Sequence, residues 1–226
     1  MTHRLNLLVF DWDGTLMDSE ARIVSCMQAA IEDLGLEPRE AASIRNIIGL
    51  GLHEAISTLY PGSDTTLHVA VTDRYRYHFL TANQTRSELF PGAEETVHGL
   101  SEAGFLLAVA TGKGRKGLDM VLEETGLGQY FHATRCADET FSKPHPQMLE
   151  ELMDELGAEP GETLMIGDTE YDMQMATNAR THSLAVSYGV HEKERLLQHN
   201  PLHCLDAIDE LGDWLQNYHS KASASN

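Results

Sequence analysis

The feature that most constrains this chain is a junction near its start. Leu5 to Phe10 is a short apolar run, and it leads directly into Asp11-Trp12-Asp13-Gly14-Thr15-Leu16. A run so apolar and so short, closed by turn residues, reads as a strand buried on both faces. Such strands belong to parallel sheets covered by helices. Asp11 and Asp13 then stand at the carboxyl end of the strand, where open α/β sheets place their sites. Gly14 permits the tight turn that must follow. Asp and Gly also close strands as plain polar turns. The apolar run before the pair and the Thr-Leu after it favour a site.

Three more segments have the same character: Phe105 to Ala110, Thr163 to Ile166 and His182 to Val186. His132 to Cys136 is a weaker fifth. Helical stripes lie between them. Leu118, Val121, Leu122 and Thr125 share a face that ends at Gly126, and Met148, Leu149, Leu152, Met153 and Leu156 share one that ends at Gly157. Ala207 to Tyr218 forms a last helix. The alternation predicts an α/β fold with a doubly wound parallel sheet.

One stretch breaks the alternation. From Met17 to Ser87 there is no convincing strand. Helical stripes follow one another there: Ile23 to Leu34 stopped by Gly35, Ile44 to Ile48 stopped by Gly49, Leu52 to Leu59, and Val69 to Leu80. Pro91-Gly92 marks the return to the α/β body. The expected organisation is an α/β core from 1–16 and 88–220, an all-helical domain at 17–87, and a small polar tail at 221–226 that frays. A helical insert can serve only as added core. Leaving the chain beside the first strand's carboxyl end, it reads instead as a lid.

Each later strand also ends in chemistry-bearing residues. After Ala110 come Thr111-Gly112-Lys113-Gly114, where a hydroxyl and exposed N–H groups can cradle an anion. Thr-Gly there can equally cap a helix, and Lys113, Arg115 and Lys116 can equally be a solvated helix start. Lys143, one of five lysines, sits in the Pro-bracketed loop Ser142-Lys143-Pro144-His145-Pro146. A compact ammonium there suits a phosphate or carboxylate. The strand ending at Ile166 continues as Gly167-Asp168-Thr169-Glu170-Tyr171-Asp172. N-capping would explain Asp168 but not a second carboxylate one turn on. Asp11, Asp13, Asp168 and Asp172 would crowd one pocket, and like charges so close need a counter-ion. Mg²⁺, a hard cation that takes oxygen ligands and a substrate phosphate, is the economical choice.

Charge narrows the partners. Lys and Arg number 16 against 35 Asp and Glu, a formal net charge of −19. That sign repels nucleic-acid backbones and anionic lipid, so neither is an expected partner. No apolar run approaches the roughly 18 residues of a membrane span. Cys26, Cys136 and Cys204 are too few and too scattered for a disulfide framework or a CxxC site, which suits a cytoplasmic protein.

The ordered set Asp-x-Asp-Gly-Thr, Thr-Gly, Lys and Gly-Asp-x-x-x-Asp, each after a strand, resembles the haloacid dehalogenase-like hydrolase superfamily. The helical insert resembles that family's C1 cap. Ile48-Gly49-Leu50-Gly51, Phe90-Pro91-Gly92 and Lys143-Pro144-His145-Pro146 resemble its phosphoglycolate-phosphatase-like branch. The resemblance implies Asp11 as nucleophile, Asp13 as general acid and base, and Thr111, Gly112 and Lys143 as phosphate binders. It implies Mg²⁺ on Asp11, the Asp13 carbonyl and Asp168, with Asp172 in support. The implied activity is Mg²⁺-dependent hydrolysis of a small phosphorylated metabolite by a monomer or homodimer, with 2-phosphoglycolate the first candidate. A phosphomutase of the β-phosphoglucomutase type shares every motif. A phospho-acceptor switch resembling response-regulator receivers is the alternative of another class, disfavoured by the nucleophile on the first strand and by the insert. Arg forks suit a carboxylate or a second phosphate. Among the insert's arginines Arg22, one turn after Asp18-Ser19, and then Arg45, just before Ile48-Gly49-Leu50-Gly51, are the expected substrate contacts.

Overall fold

The computed structural model describes residues 4–224. The first apolar run becomes β1 (Leu7–Phe10), every residue of it buried. Around it assemble β4 (Leu106–Thr111), β5 (Ala133–Cys136), β6 (Thr163–Gly167), β7 (His182–Val186) and β8 (Cys204–Leu205). The sheet order is β5-β4-β1-β6-β7-β8, with every neighbouring pair parallel. Strand β1 is central, with Leu7 in register with Leu106 on one side and Thr163 on the other.

Alternate residues of β1 feed two separate cores, as a period of two requires. Leu8 and Phe10 join Leu107, Val109, Leu164 and Ile166. That layer is covered by α5 (Ala93–Glu102), α6 (Arg115–Thr125) and α10 (Leu211–Ala224). Leu7 and Val9 join Ala108, Ala110 and Met165, under α7 (Gln147–Leu156) and α8 (Glu170–Ala179). The short α9 (Lys193–Leu197) completes the body. The chain passes from β1 outward to β4 and β5, then crosses back to β6. The reversal lies at β1, so the crevice at a doubly wound sheet's switch point opens at the carboxyl ends of β1, β4 and β6.

The turn after β1 is tightly built. The Trp12 carbonyl accepts from the N–H groups of Thr15, Leu16 and Met17 at 3.3, 3.0 and 3.0 Å. Gly14 takes the left-handed φ of 84° that this turn needs. Trp12 itself is fully buried, its indole N–H 3.4 Å from Met17 Sδ.

Beyond the turn, β2 (Met17–Asp18) pairs antiparallel with β3 (Glu88–Leu89). Between them lie α1 (Glu20–Asp33), α2 (Ala41–Arg45), α3 (Leu52–Leu59), α4 (Thr65–Tyr77) and a π-helical turn, His78–Ala82. These helices bury their own cluster, including Met27, Ile31, Ile44, Ile56 and Val71. A smaller cluster of Ile23, Cys26, Ile48 and Phe79 packs on Met120 and Val190 of the body, which seats the insert beside the sheet mouth. The stretch read as strand-free thus begins with a two-residue strand, too short to leave a pattern. The polar tail read as frayed is helical through Ala224, and its last two residues lie outside the described range. Among the described residues no helix is long and apolar enough to cross a membrane.

Candidate active site

Four strand ends converge. Asp11 extends β1, its N–H donating to the Ile166 carbonyl at 2.9 Å, and is 1% exposed. From the loop after β5, Lys143 reaches in, fully buried. Its Nζ lies 2.9 Å from Asp11 Oδ1 and 2.6 Å from Asp172 Oδ1. The approach to Asp11 is an ion pair outside hydrogen-bond geometry, so both Asp11 oxygens are buried without a hydrogen-bond partner. Burial pushes the Asp11 carboxyl up to about 7; Lys143 pulls against this, and Asp172 and Asp13 add to it. Burial would lower the Lys143 ammonium, yet Asp11 and Asp172 raise it above its ordinary range and keep it charged.

Asp168 is also fully buried. Thr15 Oγ1 donates to its Oδ1 at 2.9 Å, and the Val190 N–H donates to its Oδ2 at 2.8 Å. Its carboxyl is pushed well up, first by burial and then by Asp11 and Asp172. Helix α8 is capped by Thr169, not by Asp168. Asp172 closes that capping box, its Oδ2 accepting from the Thr169 N–H at 3.1 Å and Oγ1 at 2.6 Å. The second carboxylate one turn on therefore has two tasks: one oxygen caps the helix and the other holds Lys143.

Oxygens of Asp11, Asp168 and Asp172 all lie within 4.8 Å of one another. Three buried carboxylates, one accepting no hydrogen bond, share the single ammonium of Lys143 and are short of positive charge, and they fit a hard divalent cation. Gly14 keeps the cradle open: a Cβ there would stand 2.2 Å from Asp168 Oδ2.

Thr111 ends β4, fully buried, with its Oγ1 accepting from the Lys113 N–H at 3.2 Å. Gly112 lies under the insert, where a Cβ would meet the Gly49 carbonyl oxygen at 2.6 Å. The same insert loop is tied to the body by Gly51 N–H donating to Ser142 Oγ at 2.7 Å. Asp13, 6% exposed, accepts from Ser19 Oγ at 2.6 Å. It also accepts from Lys113 Nζ through both oxygens, at 2.8 and 3.0 Å. Lys113 is the residue sequence reasoning left undecided. Its neighbours in the basic cluster behave otherwise: Arg115 binds Glu139 and Thr134, and Lys116 is exposed. A Lys two residues after the strand-end Thr was the available signal, but its partner lies 100 residues away.

A cavity of about 630 Å³ opens beside Asp11, Asp13, Thr111, Gly112 and Lys113 and extends under the insert. Neither Arg22 nor Arg45 lines it. Arg22 Nη2 donates to the Phe79 carbonyl at 2.8 Å, with the guanidinium 4.6 Å over the Phe79 ring. Arg45 pairs with Glu20 near the surface. The insert's arginine at the cavity is Arg76, paired with Asp138.

A doubly wound sheet with buried carboxylates at its switch point, and a helical insert beside them, defines an α/β protein with an acidic site under a helical domain. The family model for the haloacid dehalogenase-like hydrolases matches residues 8–186, and the chain belongs to that family. It is 35% identical over 210 residues, 91% of each chain, to "Probable phosphatase IndB" of Dickeya dadantii. It is 32% identical over 188 residues, 81% of each chain, to a phosphoglycolate phosphatase of Agrobacterium fabrum. A solved structure described as a predicted phosphatase, from Clostridium acetobutylicum, superposes with a TM-score of 0.86 at 26% identity, over 95% of this chain and all of that one.

Proposed function

We propose that this phosphatase hydrolyses a small phosphate monoester with Mg²⁺ as cofactor, through a phosphoryl group carried on Asp11. The observation that carries the reading is Asp11 itself: a buried carboxylate at the cavity wall with no hydrogen bond to either oxygen. Such an oxygen keeps its lone pairs free for attack. Asp11 attacks phosphorus, and the bond from phosphorus to the leaving oxygen breaks. Asp13 gives a proton to that oxygen, then withdraws one from the water that attacks the phosphoryl group. Phosphate departs and Asp11 is restored. Thr111, the Gly112 N–H and Lys143 hold the phosphate oxygens; Lys143 in turn is aimed by Asp172. Mg²⁺, held by Asp11, the Asp13 carbonyl and Asp168, would offset negative charge on the transferring group. The resemblance and the Agrobacterium relative's name support 2-phosphoglycolate as the first substrate to assay.

The test is phosphate release in chelator and after Mg²⁺ is restored, for wild type and Asp11→Asn. Activity is expected only with the metal. Asp11→Asn is expected to lose about a thousandfold or more, as members of a catalytic unit do. Full activity in excess chelator, or more than a tenth of wild-type turnover in Asp11→Asn, would overturn the reading.

A further inference from the structure

Resting on the phosphatase reading of the same site but departing from 2-phosphoglycolate as its substrate, we infer that the small monoester's leaving alcohol is uncharged and mainly apolar, about the size of a fused ring. The cavity of about 630 Å³ takes in the phosphate end at Asp11 and Thr111 together with the space under the insert, and a two-carbon acid leaves most of that second space unfilled. On the insert side much of its wall is hydrocarbon: Ile23, Met27, Ile48, Leu50, Leu52 and Phe79. Tyr75 adds an aromatic face, stacked on Phe79 at 5.8 Å and 26°.

Of the cations that reach this cavity among the described residues, all but Lys116 are already engaged. Lys113 is held by Asp13, Arg76 by Asp138 and Arg115 by Glu139, while Lys116 is solvent-exposed. Asp73 and Asp138 also line the wall and repel a second anion. A substrate carboxylate placed against the hydrocarbon wall loses its water and meets no cation there, since Lys116, the unpaired lysine of the lining, stays in solvent. An apolar group gains about fourfold for each methylene-sized unit it buries. The wall therefore selects on apolar area, and the phosphate is recognised by the core alone.

Binding and turnover test this separately. For binding, wild-type protein with Mg²⁺ is titrated with two phosphonates that cannot be hydrolysed. One is 2-(1-naphthyl)ethylphosphonate and the other is 3-phosphonopropionate, the isostere of 2-phosphoglycolate. The naphthyl compound is expected to bind at least tenfold tighter. The half-buried wall variants Leu50→Asn and Leu52→Asn should each cut that preference threefold or more while the melting temperature moves by only a few degrees. For turnover, 1-naphthylmethyl phosphate and 2-phosphoglycolate are compared, since both leave as primary alkoxides. The expected kcat/KM ratio is tenfold or more in favour of the naphthyl ester. Binding without a preference, tighter binding of 3-phosphonopropionate, or a higher kcat/KM for 2-phosphoglycolate overturns the inference. A naphthyl preference in binding with no phosphate released from either ester supports the inference about the cavity and sinks the phosphatase reading instead.

Discussion

Lys113→Met tests how the site is held. Methionine keeps the reach and most of the apolar volume of the lysine stem while deleting the ammonium. In the wild type that ammonium lies 2.8 and 3.0 Å from the two Asp13 oxygens. The Lys113 and Asp13 side chains are only 5% and 9% exposed. Removing one partner of so buried a pair costs about 3–5 kcal/mol, because the other charge stays behind. Two features favour the lower end: Ser19 Oγ still donates to Asp13 at 2.6 Å, and Asp13 opens on the cavity, where water can hydrate it. The contact of Nζ with the Phe79 ring, at 4.4 Å, is lost as well. A loss of about 3 kcal/mol is expected, and for a chain of this length that is a fall in melting temperature of roughly 6–12 °C.

A double-mutant cycle separates the pair from its packing. Asp13→Asn removes the opposite charge, so Lys113→Met with Asp13→Asn should lose less than the two singles together, by roughly 1.5 kcal/mol or more. Kinetics give the second readout. With one of its two holding groups gone, Asp13 is no longer fixed on the leaving oxygen. Turnover of an alkyl phosphate should fall about 10- to 100-fold, part of the roughly 10²–10⁴ that a positioned acid and base contribute. Read in a single turnover, which isolates transfer to Asp11 from the later attack of water, p-nitrophenyl phosphate, whose phenolate departs without a proton, should fall by less than about threefold. No coupling in the cycle, or equal losses on the two esters, would refute the reasoning.

Three further outcomes are expected. Asp11 in the metal-free protein has its carboxyl raised to about 7, so the folded state binds a proton that the unfolded chain has already released. Its charge therefore destabilises the fold increasingly as pH rises from about 4 through 7. Asp11→Asn cannot ionise, and the difference isolates Asp11 from His191, whose lowered value acts in the opposite direction. The melting temperature of metal-free wild type relative to Asp11→Asn should fall between pH 5 and 8, and a flat or rising difference would refute the shift. Gly14→Ala forces an L residue to a φ of 84° and sets its Cβ 2.2 Å from Asp168 Oδ2. It should weaken Mg²⁺ affinity at least about tenfold, since the group it displaces supports the site directly; unchanged affinity by calorimetric titration would remove Asp168 from the metal site. Arg22→Ala removes the bond to the Phe79 carbonyl, so kcat/KM should drop by a similar factor for anionic and neutral leaving groups. A selective loss on anionic esters would restore Arg22 as a substrate contact.

What the sequence made legible follows from burial. Strands β1, β4, β6 and β7 lie inside a two-faced sheet, so each is an apolar run that reads without any partner known. The chemistry is legible for the same reason: Asp11, Thr111 and Asp168 come directly at the ends of those runs. Strands β2, β3 and β8 have two residues each and no period to detect. Helix α5 buries only Ala93, Val97 and Leu100, too sparse a stripe to stand out. Lys113 needed knowledge of a contact made across the molecule, which no local pattern carries.

The insert's arginines show where that kind of reading fails, and why. Spacing placed Arg22 and Arg45 near the site, and an Arg near a site of anion chemistry reads as a ligand. Yet in this acidic chain of net charge −19 five of the insert's six arginines already hold a partner within the protein. Arg39 caps the Leu59 carbonyl, Arg45 takes Glu20, Arg74 takes Asp33, Arg76 takes Asp138 and Arg22 takes the Phe79 carbonyl. These contacts tie helix to helix and insert to body, and they leave most of the insert's inner wall to Ile, Leu, Met and aromatic side chains. Positive charge at the site comes instead from two core lysines, Lys113 and Lys143, each fixed by a carboxylate of the site itself. The charged half of the site is set by the sheet ends and the apolar half by the insert. Exchanging hydrocarbon side chains along the insert's wall should therefore change which alcohol is released, with the reaction at phosphorus left as it is.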